Sequence, residues 1–160
     1  MEDDGKYKIL FVCLGNICRS PAAHGMMEQI IAERGLEDRV YVDSAGISGY
    51  HSGELPDQRM RVHARQRGLE LRHLSRRVRR SDFEEFDLII GMDDSNIDDL
   101  RSLAATPDEE KKIVQISTYF RHHPNFDCIP DPYYGGASGF EIVLDLLNDA
   151  CNTIADTFSE

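Results

Sequence analysis

The stretch KILFVCLGNICRSPAA, from Lys8 to Ala23, restricts the fold more than any other part of the chain. Tyr7 to Cys13 is apolar apart from Lys8 and reads as a buried strand. Ser20-Pro21 reads as a helix start, with serine as the cap and proline at the first helical position. Between them, LGNIC closes the loop, and Gly15 and Asn16 both tolerate left-handed backbone. A strand, a tight loop and a helix in this order form an α/β unit. Its loop lies at the carboxyl end of a strand, where open α/β sheets bind ligands.

The rest of the chain repeats the alternation. Met26, Met27, Ile30 and Ile31 recur at helical spacing up to a stop at Gly35. Val40 to Ala45, Asp87 to Met92 and Ile113 to Ile116 read as further strands. Helices are predicted from about Pro56 to a stop at Gly68 and from Asp93 to Leu103. The segments Gly46 to Asp57 and Tyr119 to Gly139 read as loops. Ser138 and Glu141 suggest a capping box, followed by an apolar helical face of Phe140, Val143, Leu144, Leu147, Ala150, Cys151, Ile154 and Phe158. Strands alternating with helices predict one α/β domain with a parallel sheet. The length of 160 residues suits a single core, with residues 1–6 expected to be flexible.

Lys and Arg number 18 against 29 Asp and Glu, a net charge of −11. This argues against nucleic acid as the main partner, which needs a basic surface. The arginine-rich Arg72 to Arg80 is read instead as a solvated face or a basic rim for acidic phosphopeptides. No apolar run approaches the roughly 18 residues of a membrane span, and the acidic MEDDGKYK lacks a leader's apolar core. No membrane insertion and a cytoplasmic location are therefore expected. Four cysteines are too few for a disulfide scaffold.

Cys13 and Cys18 could be packing residues, metal ligands, a disulfide or a nucleophile. A curled loop backed by a helix N-terminus offers amides to a phosphate-like dianion. Arg19, six positions after Cys13, could add a bidentate contact. A thiol at the centre of such a nest is favoured as thiolate. Attack by Cys13 on phosphorus would follow, with amides and Arg19 neutralising the oxygens and no metal needed. Phosphate-loop candidates are thus Leu14, Gly15, Asn16, Ile17, Cys18 and Arg19. An ester leaving group needs a proton. Asp131 in IPDPYYGG, stiffened by Pro130 and Pro132 and placed after the fourth strand, is either that acid or a solvated loop aspartate.

CLGNICRSPAA, DSAG (Asp43 to Gly46), DLIIGMDDSN (Asp87 to Asn96) and DPYYG (Asp131 to Gly135) resemble the low-molecular-weight protein tyrosine phosphatases. The resemblance spans about Tyr7 to Phe158, and YHSGELPD and RGLELRHLSRRV look more like the bacterial branch. It implies a four-stranded parallel sheet flanked by helices on both faces. It also implies phosphotyrosine hydrolysis through a phosphocysteine on Cys13, with Arg19 on the phosphate, Asp131 as general acid and base, and no cofactor. Asn16, Ser20, Ser44 and His73 match a loop-supporting network. Ser20 could equally be a helix cap, and His73 an ordinary polar histidine. Tyr50, Tyr133 and Tyr134 match a cleft wall that would stack on the phenyl ring, or are exposed loop tyrosines; His51 competes with Tyr50 for its position. Cys18 matches the second half of a redox pair with Cys13, or is packed beneath the loop. Cys151 is expected in the core, and Cys128 has no assigned role. Phosphotyrosine proteins are the implied partners, and in bacterial relatives these include tyrosine kinases of polysaccharide export.

Three other readings compete. Thioredoxin-coupled arsenate reductases share such a loop but need further cysteines near Ser75 to Phe86, which has none. Protein arginine phosphatases carry threonine where this chain has Ile17, and Ile17 suits an aryl ester better. A binding module without turnover is disfavoured by the joint presence of Cys13, Arg19, Ser20 and Asp131. A zinc site on the cysteines is disfavoured too, because no second pair has ligand spacing and the six histidines do not cluster around them in sequence.

Overall fold

The computed structural model describes residues 5–132 and 136–158. The strands are β1 (Tyr7–Cys13), β2 (Val40–Gly46), β3 (Leu88–Gly91) and β4 (Ile113–Gln115). They form one parallel sheet in the order β2-β1-β3-β4. The helices are α1 (Arg19–Glu33), α2 (Gln58–Arg65), α3 (Asp82–Glu85), α4 (Asp94–Leu103), α5 (Pro107–Glu110) and α6 (Ala137–Asp156), with a 3-10 turn at Ile116–Tyr119.

Alternation along β1 assigns its side chains to two cores. Ile9, Phe11 and Cys13 face one layer, packed with Met27 and Ile31 of α1, Met60 of α2 and Leu144 and Leu147 of α6. Leu10 and Val12 face the other, with Phe83 of α3 and Ile97 and Leu100 of α4. Helices therefore cover both faces, as expected. Phe11, two residues before Cys13, is wholly buried; truncating such a phenylalanine costs about 3–5 kcal/mol, so the strand end is firmly based. Register sets Cys13 beside Gly46 at the carboxyl edge.

Several expectations need correction. α1 begins two residues early, at Arg19 rather than Pro21, so Ser20 and Pro21 lie inside its first turn and no side chain caps it. The capping box of Ser138 and Glu141 does not form, and Gly136 occupies the cap position of α6. Glu141 instead takes Arg67 at 2.6 Å and His63 at 2.5 Å, long-range partners that compete successfully for its carboxylate. α2 is shorter than predicted, starting after Asp57, whose carboxylate accepts from Arg59 N. The short α3 and α5 were not predicted. Arg76 is not a solvated arginine: its guanidinium joins Asp43 to the fully buried Asp82 at 3.0 Å each. The expected flexibility of residues 1–6 falls mostly on positions outside the described residues. Among the described residues no helix is long and apolar enough to cross a membrane.

Candidate active site

The loop after β1 turns on Asn16, the one non-glycine residue with positive φ (56°) among those described. Its side chain accounts for the strain. Asn16 Nδ2 donates to Ser20 Oγ (2.7 Å) and Ser44 Oγ (3.1 Å). Its Oδ1 accepts from Arg76 N (3.1 Å) and from His73 Nε2 (3.2 Å). Every polar atom of this buried amide is used, so its orientation is fixed. The predicted set of Asn16, Ser20, Ser44 and His73 is therefore brought together. Sequence reasoning missed His24, whose Nδ1 lies 3.0 Å from Ser44 Oγ.

Ser20 Oγ lies 3.0 Å from Cys13 Sγ. Because that oxygen already accepts from Asn16, its own proton is available to the sulfur. Ser20 N also points at Cys13 Sγ, at 3.4 Å. Ser20 thus serves the sulfur rather than capping the helix. Both groups point at the sulfur, which sits beside the N-terminus of α1 beginning at Arg19.

Arg19 is buried, 3% exposed, yet charged. Burial opposes its charge, but Cys13, Asp93 and Asp131 outweigh this and hold its pKa above the ordinary value. Arg19 Nη1 donates to Asp93 Oδ2 (2.7 Å) and to the Ile129 carbonyl (3.0 Å). Nη2 stands 3.8 Å from Asp131 Oδ2. Asp93 was another omission, although it follows β3 at the same sheet edge. Its Oδ1 also caps α4, accepting from Asn96 N at 2.8 Å. The two roles separate by mutation. Asp93→Asn keeps a capping oxygen but loses a charged bond worth about 1.5–3 kcal/mol, so kcat/KM should fall roughly tenfold to a hundredfold. Asp93→Ala should show that loss plus about 1 kcal/mol of lost stability by denaturant unfolding.

The loop is braced from outside. Ile47 N donates to Cys13 O (3.0 Å), Ser48 N to Leu14 O (2.8 Å) and Asp57 N to Ile17 O (2.7 Å). Gly46 allows this approach: a Cβ there would stand 3.0 Å from Gly15 C, Leu14 O and Ser48 O, all backbone atoms. Gly46→Ala must therefore displace the loop. It should cost about 1–3 kcal/mol of stability and lower kcat/KM by about 10–100-fold, as thermal unfolding and steady-state kinetics would show.

Cys13, Leu14, Gly15, Ile17, Cys18, Arg19, Ser48, Tyr50, His51 and Asp131 line a cleft of about 490 Å³. Asp131, on a half-open loop, faces the buried Arg19 across it. Tyr50 and His51 both reach the wall, with ring centroids 4.9 Å apart. Tyr133 and Tyr134 lie outside the described residues. Cys18 is a buried free thiol. Burial first, then Asp57 and Cys13, push its pKa far above the ordinary range, leaving it a neutral thiol. Cys151 lies in the core, as expected.

This arrangement matches known proteins. A family model described as low molecular weight phosphotyrosine protein phosphatase matches residues 8–160. A low molecular weight protein-tyrosine-phosphatase of Bacillus subtilis is 40% identical over 147 residues, 91% of this chain and 92% of that one. The crystal structure of a protein tyrosine phosphatase from Entamoeba histolytica superposes with a TM-score of 0.91 at 40% identity, covering 96% of this chain and 97% of that one. That of an arginine phosphatase from Drosophila does so with a TM-score of 0.87 at 33% identity, covering 96% and 98%. The strand-end cysteine, the buried arginine and the sheet order thus have their explanation: the chain belongs to the low molecular weight phosphotyrosine protein phosphatase family.

Proposed function

We propose that the chain hydrolyses phosphotyrosine monoesters through a phosphocysteine on Cys13, with Asp131 as general acid and base. One observation carries this reading: Cys13 and Arg19, on the loop after β1, meet Asp131, from a distant part of the chain, in one cleft.

In the first step the Cys13 thiolate attacks phosphorus. The S–P bond forms, the P–O ester bond breaks, and the leaving oxygen takes the proton of Asp131. Arg19, held edge-on by Asp93 and Ile129, donates to the equatorial oxygens as charge develops there. In the second step Asp131, now a carboxylate, takes a proton from water. The water oxygen attacks phosphorus and the S–P bond breaks, releasing inorganic phosphate. The Ser20 hydroxyl stabilises the departing thiolate. None of these steps calls on a metal.

Tyr50 and Ile17 give the cleft wall an aromatic and an apolar surface for a phenyl ring. The Drosophila neighbour makes phosphoarginine the second substrate to test. Ile17 offers a guanidinium no hydrogen-bond partner, which favours the aryl ester. The partners proposed are phosphotyrosine proteins, a bacterial-type tyrosine kinase among them, and not nucleic acid.

Acid-quenched turnover tests the mechanism. Phosphate should be found on the peptide containing Cys13, in buffer with EDTA, after mixing with a phosphotyrosine peptide. Faster turnover of a phosphoarginine peptide of matched sequence would reassign the substrate. Turnover with no phosphoprotein intermediate under any quench would reject the covalent route.

A further inference from the structure

We propose that His24, Asp43 and His73 form a binding site for a borderline-soft divalent metal ion of the zinc type, behind the phosphate loop and outside the cleft. One ligand atom from each lies within 4.8 Å of the other two. The residues come from α1, from β2 and from the segment before α3, so the fold, not local sequence, assembles them. His24 is buried and the other two are half-buried. None of the three lines the cleft.

The proton arrangement explains why the three suit a cation. The fixed Asn16 amide presents its oxygen to His73, so Nε2 of His73 carries a proton. In neutral His73 the lone pair is then on Nδ1, which stands 3.6 Å from Asp43 Oδ1. Asp43 Oδ1 already accepts from Ser44 N at 2.8 Å, and its remaining lone pair and that of His73 Nδ1 offer two acceptors to one cation. Ser44 Oγ accepts from Asn16, so its own proton goes to His24 Nδ1 at 3.0 Å. His24 Nε2 then carries a proton, 3.4 Å from Glu28 Oε2. Each histidine thus directs its second N–H at a carbonyl or a carboxylate, the outer-shell pattern of ligating histidines. The cation would take the His24 lone pair from the Ser44 hydroxyl.

Ligand chemistry selects the ion. Two imidazoles and one carboxylate, with water completing a tetrahedron, suit zinc or cobalt; calcium and magnesium prefer oxygen. Arg76 sits on the other oxygen, Asp43 Oδ2, at 3.0 Å, but it also pairs with Asp82. Two carboxylates therefore offset that one cation before the metal enters.

Cobalt(II) titration tests the site. Chelator-stripped native protein and Cys13→Ser should each bind one equivalent with equal affinity. Both should show the ligand-field bands of a four-coordinate ion without a sulfur-to-cobalt charge-transfer band. His24→Gln and Asp43→Asn should weaken binding at least tenfold, the lower end of what losing even an outer-shell partner costs. If His24→Gln does not fold, Glu28→Gln supplies the reading: the exposed Glu28 leaves the core alone, and its loss should weaken binding about tenfold. Absence of saturable binding would overturn the proposal. So would a charge-transfer band that vanishes in Cys13→Ser, or an affinity unchanged in folded His24→Gln.

Discussion

Cys13→Ser should abolish turnover of para-nitrophenyl phosphate, by about 10⁴-fold or more, because the nucleophile and its covalent intermediate are lost together. The donors around the sulfur explain why serine is no substitute. A hydroxyl is far less acidic than a thiol, and one hydroxyl from Ser20 with one amide cannot close that gap. Arg19 and its anchors, Asp93 and Ile129, are untouched. Inorganic phosphate should therefore still bind, and the loss should appear in kcat. Residual activity above about one hundredth of the native rate would show that another group supplies the nucleophile.

Asp131→Asn should slow turnover by about 10²–10⁴-fold, the usual worth of a positioned general acid. The dependence on leaving group is the sharper test. A nitrophenolate departs with little help, so its first step should be least affected. Phenyl phosphate and phosphotyrosine need the proton and should lose most. The second step also suffers, because asparagine cannot take a proton from water. A burst of nitrophenol followed by slow steady turnover should be visible by stopped flow. The side chain is 39% exposed, so stability should change by no more than about 0.5 kcal/mol. Equal losses for all leaving groups would remove Asp131 from the acid role.

What could be read from the sequence follows from the range of the forces involved. β1 was legible as an unbroken buried run, and α6 because burial imposes a helical period on many consecutive residues. The nucleophile and arginine were legible because one short loop holds both. Asp93 was not, since its contact with Arg19 spans 74 positions. His24 was hidden for the same reason: nothing in its own helix marks a partner on β2. The Ser138–Glu141 signal was real as a local preference, yet Arg67 and His63 take the carboxylate. The four-residue α3 and α5 are too short to show a helical period. The arginine-rich segment looked solvated because only the fold brings Asp43 to Arg76.

The Asn16 amide has a consequence for how the protein fails. Its partners lie 4, 28, 57 and 60 positions away. The left-handed kink it stabilises therefore cannot persist unless α1, β2 and the 73–76 segment are all in place. Such a site has no means of outliving the sheet, while the sheet has no comparable need of the loop. Along a denaturant series, catalysis should therefore be lost no later than tertiary structure. A turnover assay on this chain is accordingly a lower bound on how long the native fold survives.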